Sequence, residues 1–215
     1  MDLPSKKKDR SHDTNIVHIE KLSSSDKKYT HLLLGDSLLD NFSKNSGKVY
    51  YDLLQQKVAL FNAGVGGDRV ENVLYRLIDG KLLDHPNIKT VTNVYLLIGT
   101  NNLDNKKPKC ANIIHSGIMT IAKQLVQNLP NLKNIYVFQI PPRADINKNI
   151  IDAANTPIRE YFNTKPTINQ VQIKYIEWSN VFSNGSGINP AYYFDHVHFS
   201  SAGYEILYNK MLELL

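Results

Sequence analysis

Two stretches far apart in the chain carry side chains that could act on one another chemically. In "HLLLGDSLLDNF", residues 31–42, an apolar run breaks at Gly35-Asp36-Ser37; "YYFDHVHFSSAGY", residues 192–204, carries Asp195 and His198. The i, i+3 spacing of Asp195 and His198 lets both side chains lie on one side of a single turn, about 5–6 Å apart at Cβ, which suits a carboxylate orienting an imidazole. A serine hydroxyl is a poor nucleophile without a base in hydrogen-bond reach. An imidazole titrates near neutrality, so His198 could take the Ser37 proton and return it to a leaving alkoxide, with Asp195 holding the tautomer. The spacing alone leaves open that Ser37 only caps a helix, that His198 is structural and that Asp195 is a cap.

Acyl chemistry at a serine also needs preorganised donors for the oxyanion, each worth on the order of 3–4 kcal/mol when removed. Ser37 N–H qualifies if the segment after it opens a helix. Gly67 N–H, in "NAGVGGD", can approach closely because no side chain intervenes, and the Asn101 amide, in "GTNN", can donate from the end of a strand. Gly67 as a plain turn glycine and Asn102 as the acting amide remain alternatives, and Asp36 reads as a loop-organising carboxylate. Other chemistries fit less well. His196 and His198 could begin a zinc site, but no further ligands at suitable spacing are visible. "GVGGD" lacks the third glycine of a dinucleotide loop, where Arg69 stands. A phosphate-binding module would not place Asp36 and Asp40 after its first strand. Ser37 does not sit in G-x-S-x-G.

These pieces need a scaffold that brings them to one edge. Short apolar runs at His31–Leu34, Val58–Asn62, Val91–Ile98, Ile135–Ile140 and Ile173–Glu177 alternate with segments of helical period at Arg69–Leu83, Ile114–Leu129, Ile150–Phe162 and Ser201–Leu215. That alternation predicts a three-layer α/β/α sandwich around a parallel five-stranded sheet. Ligands of such sheets bind beyond the carboxyl ends of the strands, and the polar, glycine-rich pieces all follow strands.

Four blocks in this order, "GDSLLDN" with Ser37, "NAGVGGD" with Gly67, "GTNN" with Asn101 and "DHVH" with Asp195 and His198, resemble the SGNH or GDSL-type hydrolase superfamily over residues 30–215. "GTNN" and Pro142-Arg143 are similar to features of the platelet-activating-factor acetylhydrolase catalytic-subunit-like small esterases. The resemblance implies a flavodoxin-like fold, no metal or organic cofactor, and hydrolysis of carboxylic esters through an acyl-enzyme. The implied catalytic residues are Ser37, Asp195 and His198, with Ser37, Gly67 and Asn101 as the oxyanion donors. A short or acetyl acyl group is implied by the resemblance only. Arg143 and Tyr193 are expected to touch the alcohol side of a small-molecule ester, an acylated sugar or lipid. Some relatives dimerise, so a homodimer is open. The alternative is a non-catalytic member that binds an acylated ligand.

At 215 residues, 42% hydrophobic and 21% charged, the chain suits one well-buried domain. The formal charge of +5 is interspersed rather than clustered, which argues against nucleic acid, and no apolar run approaches the ~20 residues of a membrane span. The N-terminus has no apolar core of a secretory signal and Cys110 is the sole cysteine, so a cytoplasmic, reducing location is expected. Residues 1–28, with the Lys6–Lys8 run, read as a poorly ordered or loosely docked tail, and 29–215 as the hydrolase domain.

Overall fold

The computed structural model describes residues 3–107, 109–184 and 187–215. Its sheet is built from β1 (His31–Gly35), β2 (Leu60–Gly64), β3 (Asn93–Leu97), β4 (Asn134–Phe138), β5 (Thr167–Ile168) and β6 (Val171–Ile176), in the order β2-β1-β3-β4-β6-β5. All neighbours pair in parallel except β5 with β6. The sixth strand departs from the expected five. It is a two-residue hairpin arm reached through Asn169 and Gln170, both at positive φ (47° and 71°). A tight hairpin turn demands positive φ at both central positions, and Asn-Gln is a weak signal for it.

The period-2 geometry of the strands explains the layers. Leu32, Leu34, Val94, Leu96, Ile135 and Val137 point into one core, closed by α4 (Val70–Leu77), α5 (Cys110–Asn128) and α6 (Lys148–Thr164). Leu33, Tyr95, Leu97, Tyr136 and Phe138 point into the other, closed by α2 (Ser37–Asp40), α3 (Lys48–Gln55) and α7 (Ser201–Leu212). Both faces being covered is what lets central strands carry unbroken apolar runs such as Leu32–Leu34 and Val94–Leu97, whereas β6, nearer the edge, alternates. Among the described residues, no helix is long and apolar enough to cross a membrane.

The N-terminal segment differs from expectation. Asp9–Ser23 forms α1, a helix packed against α4. Its anchors are mostly polar, which is why apolar periodicity did not reveal it. Ser11 and Asn15 are buried, Asn15 Nδ2 donates to Gly80 O at 2.7 Å, and Leu22 enters the core. His18 lies edge-on to Phe61, and burial, with Arg76, Lys21 and Lys44 contributing, pushes its imidazole down to about 3. The helix expected to reach Leu83 stops at Leu77. Gly80 N–H turns back to Tyr75 O, and Lys81 enters the left-handed region at φ 55°.

β1 lies between β2 and β3, so the chain leaves it in opposite directions on its two sides. This is the topological switch point, where the carboxyl ends of the strands open a crevice.

Candidate active site

β1 ends at Gly35 because nothing larger fits. A Cβ there would stand 2.0 Å from Leu97 O of the neighbouring strand. The next residue, Asp36, is the N-cap of α2 and accepts from Leu38 N–H at 3.0 Å, which turns the backbone sharply and presents Ser37 as the first helical residue. Ser37 is half-buried, and among the described residues no protein acceptor takes its N–H.

Asp195 and His198 come from the loop before α7. Asp195 Oδ1 accepts from the backbone N–H of Val197 (2.8 Å) and of His198 (2.7 Å), and Oδ2 faces His198 Nδ1 at 2.8 Å. Burial pushes the Asp195 carboxyl up, but the His198 ring and the two backbone N–H groups outweigh it and hold it at about 2. An ionised carboxylate only accepts, so Nδ1 carries the proton and Nε2 has a free lone pair. Nε2 stands 3.0 Å from Ser37 Oγ and accepts from it. Tyr204 O–H donates to Leu38 O at 2.9 Å and so clamps α7, which follows the His198 loop, onto α2.

Gly67, at φ 77°, occupies the turn after β2 in a conformation that favours glycine, and its N–H likewise has no protein acceptor among the described residues. Asn101 lies in the helical turn after β3; its Nδ2 donates to Asp68 O at 2.9 Å, tying the two loops together. Asn102 is occupied elsewhere. Its Oδ1 accepts from Val70 N–H and its Nδ2 donates to Glu71.

Beneath these loops lies a buried network that the sequence did not announce. Arg76 is fully buried; its Nε pairs with Asp68 Oδ2 at 2.8 Å, Nη1 donates to Ala63 O and Nη2 to Gly35 O. One guanidinium thus holds the carboxyl ends of β1 and β2. Asp68 Oδ1 also accepts from Ser11 Oγ at 2.5 Å, which fastens α1 to the loop of Gly67. In the sequence Arg76 is only an arginine eight residues after Asp68, off the apolar stripe of α4.

The two side chains expected on the alcohol side both have partners within the protein. Tyr193 is buried, its ring against Phe182 and Phe199 and its O–H donating to Pro142 O at 2.6 Å; aromatic packing took it, and its neighbour Phe194, 82% exposed, faces solvent instead. Arg143 spends its guanidinium on Asp145 and on Thr100 O (2.9 Å), bracing the Asn101 turn from below. Cys110 is buried. Among the described residues no cluster of three or more His, Cys, Asp or Glu could hold a metal.

Residues 33–206 match the model of the GDSL-like lipase/acylhydrolase family. The chain belongs to that family. As a GDSL-like acylhydrolase it is an ester hydrolase. It is 29% identical over 195 residues to the platelet-activating factor acetylhydrolase IB subunit alpha2 of Rattus norvegicus, covering 90% of this chain and 79% of that protein. Its fold is similar to that of a GDSL-like lipase from Bacteroides thetaiotaomicron (TM-score 0.70, 15% identity, 94% of this chain and 97% of that one). It is also similar to the acetyl xylan esterase Axe2 from Geobacillus stearothermophilus (TM-score 0.58, 15% identity, 87% and 94%).

Proposed function

We propose that this GDSL-like acylhydrolase cleaves short-chain, acetyl-type carboxylic esters through an acyl-enzyme on Ser37. The observation that carries the reading is the continuous relay from Ser37 Oγ to His198 Nε2 (3.0 Å) and from His198 Nδ1 to Asp195 Oδ2 (2.8 Å). Ser37 Oγ attacks the acyl carbonyl as His198 Nε2 takes its proton. The imidazolium so formed is stabilised by Asp195. The oxyanion is received by the N–H groups of Ser37 and Gly67 and by Asn101 Nδ2, whose second hydrogen is not used by Asp68 O. Collapse expels the alcohol, protonated by His198, and water then repeats the sequence on the acyl-serine.

The short acyl group is supported by the names of two relatives, an acetylhydrolase and an acetyl xylan esterase. The test is a panel of p-nitrophenyl esters of increasing acyl length with Ser37→Ala as the blank, and fluorophosphonate labelling of the wild type. Turnover that declines with chain length and vanishes with the serine is expected. Equal rates from both proteins, or labelling at another residue, would sink the assignment.

A further inference from the structure

The lysine run expected to be a solvated tail is instead fixed beside the oxyanion donors. Lys6 N–H donates to Glu71 O at 3.0 Å, Lys6 O accepts from Asn72 Nδ2 at 2.9 Å, and Lys8 Nζ donates to Gly67 O at 2.7 Å. Leu3 N–H, held by Thr120 Oγ1, anchors the segment upstream, and Ser11 anchors it downstream. Between this segment and the start of α4 lies an open cavity of about 530 Å³, lined by Lys6, Lys7, Lys8 and Arg69 and reaching Gly67 and Asn101. Asp9 and Glu71 also line it, but the cations outnumber them, and Glu71 is engaged by Asn102. Among the described residues no ion pair takes the side chain of Lys6, Lys7, Lys8 or Arg69.

Four cationic side chains gathered on a fixed backbone repel one another, and a neutral ester gives them nothing to bind. The transient oxyanion does not need them either, since N–H donors already serve it. A permanent anion elsewhere on the substrate would meet them on entering from the Gly67 side.

We propose that Lys6, Lys7 and Arg69 form an anion subsite on the Gly67 and Asn101 side of the catalytic serine, selecting esters that carry a second, negatively charged group, a carboxylate or a phosphate. The proposal rests on the reading of Ser37 as nucleophile. Lys8, held by Gly67 O, fixes the edge of the subsite nearest the oxyanion.

The test compares kcat/KM for 4-acetoxybenzoate and 4-acetoxyphenyl phosphate with that for neutral methyl 4-acetoxybenzoate, in the wild type and in K6Q/K7Q/R69Q. Intrinsic reactivity cancels when the anionic-to-neutral ratio is compared between proteins. The triple variant should lower that ratio ~10-fold or more, chiefly through KM, and raising the salt from low ionic strength to about 0.5 M should lower it in the wild type. Lys7→Glu, a single surface change, should move it the same way and guards against misfolding of the triple variant. A larger loss with the benzoate marks a carboxylate-bearing substrate, and with the phosphate a phosphorylated one. A ratio indifferent to both variants and to salt, in an enzyme that turns over the neutral ester, overturns the subsite alone. If the wild type is no faster than Ser37→Ala on any of the three, the esterase reading falls and takes the subsite with it.

Discussion

Asp36→Asn should stabilise this protein, and more so as pH rises. The Asp36 carboxyl is fully buried; Oδ1 accepts from Leu38 N–H, while Oδ2 has no partner among the described residues. Burial pushes it from 3.8 up to about 7, with the charge of Asp68 adding and the Leu38 N–H and Arg143 opposing. The folded protein therefore keeps this proton up to about pH 7, whereas the unfolded chain loses it near 3.8. Between those values the native state binds more protons than the unfolded state, so stability falls with rising pH throughout the window. At about 1.4 kcal/mol per pH unit, the whole interval corresponds to an upper bound of about 4 kcal/mol. Asparagine retains the acceptor for Leu38 and cannot ionise. Unfolding free energies of the two proteins from urea titrations should nearly coincide at the acid end of the window and separate by up to about 4 kcal/mol above neutrality. A separation that is constant with pH, or that grows toward acid, would refute the argument that this carboxyl is neutral when folded.

Arg76→Leu strands the buried Asp68 charge and should cost about 3–5 kcal/mol in chemical unfolding; a cost under ~1 kcal/mol would mean that Asp68 finds another partner. Asn101→Ala should depress kcat ~100-fold or more with a smaller effect on KM, and a change confined to KM would make Asn101 a substrate contact. Asp195→Asn leaves an acceptor for Val197 and His198 N–H but offers the imidazole the wrong partner, so kcat should fall by ~10⁴ while the melting temperature changes little; retention of a tenth of the activity would contradict the tautomer argument. Gly35→Ala places a methyl 2.0 Å from Leu97 O and should abolish soluble folded protein, so a native-like circular dichroism melt would show that β1 and β3 can part.

The features legible in the sequence were those written in local chemistry. "HLLLG" declares a strand buried on both sides, and the three blocks with Ser37, Gly67 and Asn101 follow the ends of parallel strands, so parallel topology puts them on one edge, while the 3.0 Å contact of His198 with Ser37 depends on how the loop before α7 folds back. What escaped was written in long-range polar contacts. Ser11 reads as one more polar residue until Asp68, 57 positions on, is folded against it. Arg76 looks like a surface arginine on an amphipathic helix, yet its partners are carbonyls at the ends of two strands. Tyr193 was equally plausible facing ligand or core; one of its aromatic neighbours, Phe199, stands in the same stretch, but the other, Phe182, comes from a separate loop that no local pattern connects to it. Hydrophobic periodicity reports which side of an element is apolar and says little of a helix such as α1, where Leu22 is joined by a buried hydroxyl, Ser11, and a buried amide, Asn15.

The contact between Ser37 and His198 spans 161 positions. On the proposed mechanism, synthesis from the N-terminus delivers the nucleophile long before the base that activates it. The half-made chain thus carries an inert serine, and chemistry switches on only when the closing segment, with Tyr204 locking onto Leu38, is seated. Acquisition of esterase activity during refolding is accordingly a clock for the last docking event rather than for formation of the sheet.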